Sequence, residues 1–122
     1  MSKKAILRCS DYLEHMLEAI HLARSYVEGL PKEDFMEDKQ TQQAVILNLL
    51  IIGESASYII REYPDFPEQH PELPWKEMRG MRNRMAHGYF EINLDTVWDT
   101  VQDSLPELEQ QVITIREGFV GT

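Results

Sequence analysis

The residues able to do chemistry in this sequence crowd into one short stretch, Arg82-Asn83-Arg84-Met85-Ala86-His87-Gly88-Tyr89. It joins a fixed cation, an imidazole that can move a proton near neutral pH, and a phenol. Metal-free cleavage of RNA asks for such groups: a base to take the 2′-hydroxyl proton, an acid for the departing 5′ oxygen, and a cation for the charged phosphorane. One imidazole does not readily stand on both sides of the phosphorus, whereas two copies brought by a dimer could. Taken singly the signals are ordinary. A lone His87 at a helix end is by default a cap, and Tyr89 is by default a core aromatic.

Charge singles out the same stretch. Positions 76 to 87 hold Lys76, Arg79, Arg82 and Arg84 against Glu77 alone, a local +3 in a chain of net charge −9, so the remainder carries −12. A helix that gathers arginines in an acidic protein either pairs with neighbouring carboxylates or awaits a phosphate, and composition alone does not decide between them. Projected as a helix, Pro74, Met78, Met81 and Met85 form the expected core-facing stripe, and Lys76, Gly80, Asn83 and His87 fall together on the opposite side, flanked by Arg79. Arg82 lies at the border of the two faces, near Trp75. Gly80 costs about 1 kcal/mol relative to Ala inside a helix, which suggests that another backbone or a ligand phosphate approaches it closely.

Four amphipathic stretches must position these groups. In the first, Cys9, Leu13, Met16, Ile20, Ala23 and Val27 recur at spacings of three and four, stopped by Gly29 and Pro31. The second runs from about Glu37 to Tyr63 and is ended by Pro64. Its centre, Ala44 to Ile52, is apolar nearly all round, so it is buried on more than one side, and a second copy of the chain is a plausible cover. Residues 65–73 read as a proline-punctuated acidic connection. The third stretch, Trp75 to His87, is closed by Gly88 at the usual left-handed position. The fourth starts at an Asn93 cap and carries Leu94, Val97, Val101, Leu105, Leu108, Val112 and Ile115 in phase through Pro106, which should kink it without ending it. No segment alternates with period two. The expected architecture is all-α, an up-and-down four-helix bundle in a single domain over residues 1–122, with sequence neighbours antiparallel.

The whole chain, 122 residues with 43% apolar and 27% charged, is of ordinary globular composition and long enough to bury a core without disulfides or a structural metal. A lone Cys9 makes no internal bridge, and a reducing cytoplasm is its simplest setting. No secretory leader follows Lys3 and Lys4, and the longest apolar run falls short of the ~20 residues of a membrane helix. Net charge argues against indiscriminate binding to nucleic acid or anionic lipid, so any polyanion must meet the basic window. Glu18-Ala19-Ile20-His21 is a Glu-x-x-His, but a di-metal bundle wants that motif on two helices, so no metal or other cofactor is expected. His15, His21 and His70 read as surface residues, and the acidic pairs Glu33-Asp34 and Glu37-Asp38 as solvated helix starts.

The pattern Arg-x4-His-x-Tyr, filled by Arg82, His87 and Tyr89, resembles the signature of the HepT-like ribonuclease toxins of the HEPN superfamily. Ile51-Ile52-Gly53-Glu54-Ser55-Ala56 is similar to the second-helix segment of that family, Pro74-Trp75 to the start of its third helix, and Val97-Trp98 to the start of its last. The resemblance implies a component of a prokaryotic type VII toxin–antitoxin system: a homodimeric, metal-independent RNA endonuclease with its site in the cleft between protomers. On it, Arg82 and His87 are catalytic and Asn83 lines the same cleft; the basic helix face adds Lys76 and Arg79, so that Lys76, Arg79 and Asn83 are the expected RNA-binding residues. The implied antitoxin is a minimal nucleotidyltransferase that transfers AMP from ATP to Tyr89, and the bulky anion then repels RNA from the cleft. The competing reading is a non-catalytic helical module that binds a nucleotidyltransferase or a nucleotide.

Overall fold

The computed structural model describes the backbone of residues 3–120 and the side chains of residues 8–119. Helix α1 spans Lys3–Tyr26, and its stripe of Cys9, Leu13, Met16, Ile20, Ala23 and Val27 is buried along its whole length. Gly29 ends the turn after it with φ +73°, a conformation that favours glycine. A short helix α2 (Lys32–Glu37) follows, and then α3 (Lys39–Glu62), capped by Asp38, which accepts from the Thr41 amide at 3.1 Å and from its hydroxyl at 2.6 Å.

The acidic pairs therefore have different fates. Glu33 and Asp34 are a helix start as expected, in the first turn of the separate short helix α2, and Glu37 ends that helix instead of starting one. Asp38 is the cap of α3, and its carboxyl is held below the usual range chiefly by the Thr41 hydroxyl. What makes α2 a helix is Phe35, fully buried and packed against Trp98 with ring centroids 5.3 Å apart. The proline-punctuated segment is likewise more than a connection. Its Asp65–Gln69 forms a short helix, α4, that buries Phe66 between Trp75 and Phe119, while the Trp75 indole donates to the His70 carbonyl at 2.8 Å.

Helix α5 (Trp75–His87) buries Trp75, Met78 and Met81, leaves Met85 half-buried, and leaves Pro74 before it exposed. Its last turn is closed by Gly88, whose amide donates to the Arg84 carbonyl at 2.8 Å. Gly88 has φ −128°, so it terminates the helix without the expected left-handed conformation. A single 3₁₀ turn (Tyr89–Glu91) leads to Asn93, which caps α6 (Leu94–Asp99) by accepting from the Thr96 amide at 3.2 Å. The expected kink at Pro106 takes the form of a π-helical turn, Thr100–Ser104, between α6 and α7 (Leu105–Val120). Proline lacks an N–H and crowds the preceding turn, and the i→i−5 bond from the Leu105 amide to the Thr100 carbonyl widens the helix there. The buried stripe Val97, Val101, Leu105, Leu108, Val112, Ile115 passes through without losing phase.

These elements make an all-helical bundle. α3 lies between α1 and α5, and α7 returns to pack on α1. By length and composition α3 is apolar enough to cross a membrane, although no uninterrupted run in it reaches that length, and half of its most apolar window is buried inside the bundle, as in a core helix. The rest of that helix reaches the surface: Leu47 is 55% exposed and Ile51, one turn on, 36%.

Burial pushes the Cys9 thiol from 9.0 up to about 11. In the folded chain it stays protonated at pH 9–10, where an unfolded thiol ionises, so folding stability is expected to fall as pH rises above about 9. Cys9→Ala should remove that part of the alkaline slope in urea titrations. Native Cys9 should also resist iodoacetamide at pH 8 and react once urea unfolds the chain.

Candidate functional site

Arg82 owes its position to a glycine on another helix. A Cβ on Gly53 of α3 would stand 2.7 Å from the Met78 carbonyl oxygen and 3.0 Å from the Arg82 Cα, besides overlapping the Arg82 Cβ. Only a missing side chain allows α5 to cross α3 at this depth. The close approach expected at Gly80 is not made within the chain, since a Cβ there would meet only the end of the Arg84 side chain, at 3.7 Å.

Directly after Gly53 comes Glu54, and its carboxylate takes the Arg82 Nε in an ion pair. The Arg82 Nη1 donates to the Asn83 side-chain oxygen at 3.0 Å. Of the five guanidinium protons, two are thus engaged and three remain. Glu54, Arg79, Arg82 and Asn83 line one side of a groove of about 900 Å³ between α1, α3 and α5. Asn48 and Ser55, the two buried polar residues of α3, line it too, with Asn48 anchored by donation to the Ala44 carbonyl at 2.9 Å. Sequence reading had no signal for these two beyond their polarity inside an apolar run. Among the described residues, Lys76, Arg79 and Arg84 have no carboxylate within 4.0 Å.

The remaining candidates lie outside the groove of a single chain. His87 is exposed, and no hydrogen bond to its side chain occurs among the described residues, so it does not cap its helix. It sits one turn beyond Asn83 on the same face, and so continues the groove's edge toward the end of α5. Arg82 and His87, five residues apart, are separated by roughly 7.5 Å along the axis and about 140° around it, so one helix does not aim both at one linkage. Tyr89 is 42% exposed in the 3₁₀ turn, edge-on to Phe90 at 5.5 Å, and is therefore not a core aromatic. Lys76 is exposed and does not line the groove. Among the described residues no group of three or more His, Cys, Asp or Glu side chains is placed to hold a metal ion.

A helical bundle with Arg-x4-His-x-Tyr across the end of its third long helix, and the arginine of that motif on a groove, is a domain of the HEPN class. Within that class the chain belongs to the HepT-like family, whose model, Ribonuclease HepT-like, matches residues 16–115. The chain is 41% identical over 107 residues, 88% of its length and 94% of the other's, to a protein of Thermococcus cleftensis named "Probable ribonuclease HepT". It is 40% identical over 101 residues, 83% of its length and 88% of the other's, to a protein of Caldanaerobacter subterraneus subsp. tengcongensis with a provisional RNase designation. No solved structure matches it.

The two glycines make a direct comparison. Gly53→Ala is expected to lower the unfolding free energy by about 1–3 kcal/mol, because backbone must move to admit the methyl. Gly80→Ala should be neutral or stabilising by up to about 1 kcal/mol, as helix propensity dictates when nothing opposes the new atom. Urea denaturation of both variants reads the difference, and equal effects would contradict the crossing geometry.

Proposed function

We propose that the chain is a metal-independent RNA endonuclease, the toxin of a HEPN and minimal nucleotidyltransferase pair, with a composite site at a homodimer cleft. The observation that carries this reading is the placement of Arg82 and Asn83 on a groove in an otherwise acidic protein, with His87 exposed along the same edge. The ribonuclease names of its relatives support the same activity.

The proposed reaction forms a bond from the ribose 2′ oxygen to phosphorus and breaks the bond to the 5′ oxygen. A base takes the 2′ proton, an acid returns one to the leaving oxygen, and a cation holds the extra charge in between. Arg82 suits the last role, because Glu54 and Asn83 fix its fork while three N–H groups stay available. His87 suits proton transfer, and the two sides of the phosphorus call for an imidazole from each protomer. The exposed Leu47 and Ile51 offer apolar surface for the second copy beside that groove. Tyr89, outside the helix and 42% exposed, is the proposed acceptor of AMP: its hydroxyl would attack the α-phosphorus of ATP with loss of pyrophosphate, in a step catalysed by the antitoxin. A buried, unpaired Cys9 fits a reducing cytoplasm.

The Arg82–Glu54 pair favours one other reading, in which the arginine is neutralised and the chain only binds a nucleotidyltransferase or nucleotide. RNA incubated with the purified protein in EDTA discriminates. Cleavage is expected, with loss of at least about a hundredfold in His87→Ala and in Arg82→Ala while helical circular dichroism persists, the scale of a lost acid–base or charge-stabilising group. Intact RNA with a folded dimer would sink the nuclease. Co-expression with a minimal nucleotidyltransferase should add AMP to Tyr89, and an unmodified tyrosine would support the binding module. Because the groove presents three cations, Arg61, Arg79 and Arg82, to phosphates, RNA binding should weaken with salt along a log–log slope near −2, about 0.7 for each of three contacts. A slope several times steeper would show a larger basic surface.

A further inference from the structure

The groove that holds Arg82 has an aromatic end that the cleavage chemistry does not use. Tyr12 of α1 and Tyr58 of α3 stack with ring centroids 3.9 Å apart and planes 20° from parallel. The His15 ring stands edge-on to Tyr12 at 5.8 Å, and the Arg61 guanidinium lies 5.2 Å from the centre of the Tyr58 ring. All four side chains line the same cavity of about 900 Å³ as Arg79, Arg82 and Asn83. Both tyrosines are only half-buried, although two rings between packed helices would ordinarily be taken into the core. Tyr58 follows Glu54 by one helical turn, about 6 Å along α3, so the stack adjoins the carboxylate that holds Arg82.

Half-buried aromatic faces beside arginines form the surface on which unpaired nucleobases stack while the cations follow the backbone. We propose that Tyr12 and Tyr58, with Arg61, form a base-stacking subsite for single-stranded RNA, seating a nucleotide that adjoins the scissile linkage. The inference rests on the ribonuclease reading for its ligand and adds to it a preference for unpaired strands. A base-paired nucleotide has both its faces covered by its neighbours and cannot enter such a stack. Arg61, over the Tyr58 ring, and Arg79, lining the same groove, supply charge for the flanking phosphates.

The test uses the full chain with His87→Ala, so that RNA binds without being cut, and two fluorescent probes: a short oligouridylate and a strand of equal length with abasic residues. The parent should bind the oligouridylate about tenfold more tightly than the abasic strand. Tyr58→Leu, which keeps apolar volume and removes the ring, should erase that preference, and Tyr58→Phe should keep it. A preference that survives in Tyr58→Leu, or that is missing in the parent, overturns the subsite. Ultraviolet crosslinking of the oligouridylate to the unsubstituted rings covers the case in which Tyr58→Leu does not fold. The adduct should map to the peptide carrying Tyr12 or Tyr58, and an adduct found only elsewhere overturns the subsite. Cleavage by the chain with His87 intact is scored separately, so loss of the stacking result and loss of nuclease activity are told apart.

Discussion

Everything proposed for this protein depends on how closely α5 can lie against α3. The contact is made backbone to backbone, with the Met78 carbonyl and the Arg82 main chain in the space where a side chain of residue 53 would be. Close-packed interiors transmit such constraints without slack. Moving α5 outward by a methyl's thickness would carry Arg82, Asn83 and Arg79 away from Asn48, Ser55 and Glu54, and the groove would lose one wall. The same crossing sets the residues on α3 that Arg82 can meet, because Glu54 follows Gly53 directly. Packing geometry and electrostatics are thus fixed at a single point.

The electrostatic side is a balance of small terms. The Arg82 side chain is 33% exposed and that of Glu54 53%, so water screens their pairing and the attraction contributes at most about 1 kcal/mol. A phosphate brought into the groove can compete for the guanidinium on those terms. The carboxylate thereby orients the fork without consuming it, since it holds only the Nε side. In a chain of net charge −9 it also keeps the empty groove from being a strong general trap for polyanions.

The long helices were legible because their apolar residues keep phase over many turns, and a stripe such as Cys9 to Val27 leaves little freedom in which side faces inward. The short helices were not. α2 and α4 are too brief to show a period, and they exist because Phe35 finds Trp98 and Phe66 finds Trp75 and Phe119, two of these three partners far away in sequence. Glycine shows the same limit. Periodicity assigned Gly80 to a polar face but did not reveal what opposes it, and the glycine that permits a close crossing is Gly53, noticed only as one residue of the family-like segment Ile51 to Ala56. The motif of Arg82, His87 and Tyr89 stood out as residue types, whereas the pairing with Glu54 and the stack of Tyr12 on Tyr58 arise only when α1, α3 and α5 come together.

The separation of Arg82 from His87 on α5 bears on why the site would need two chains. Residues four apart on a helix share a face, and residues five apart do not. With four residues between them, the arginine turns toward α3 and the histidine turns outward along the Asn83 edge. A single protomer therefore has a cation inside its groove and a proton carrier on its rim. An in-line displacement needs groups on opposite sides of phosphorus with charge stabilisation between them. In the proposed dimer, two rims facing each other across a twofold axis would bring an imidazole to each side, and the exposed Leu47 and Ile51 lie on the helix that would have to approach its mate. A spacing that keeps the two groups apart within one chain is one that a twofold axis could turn to use.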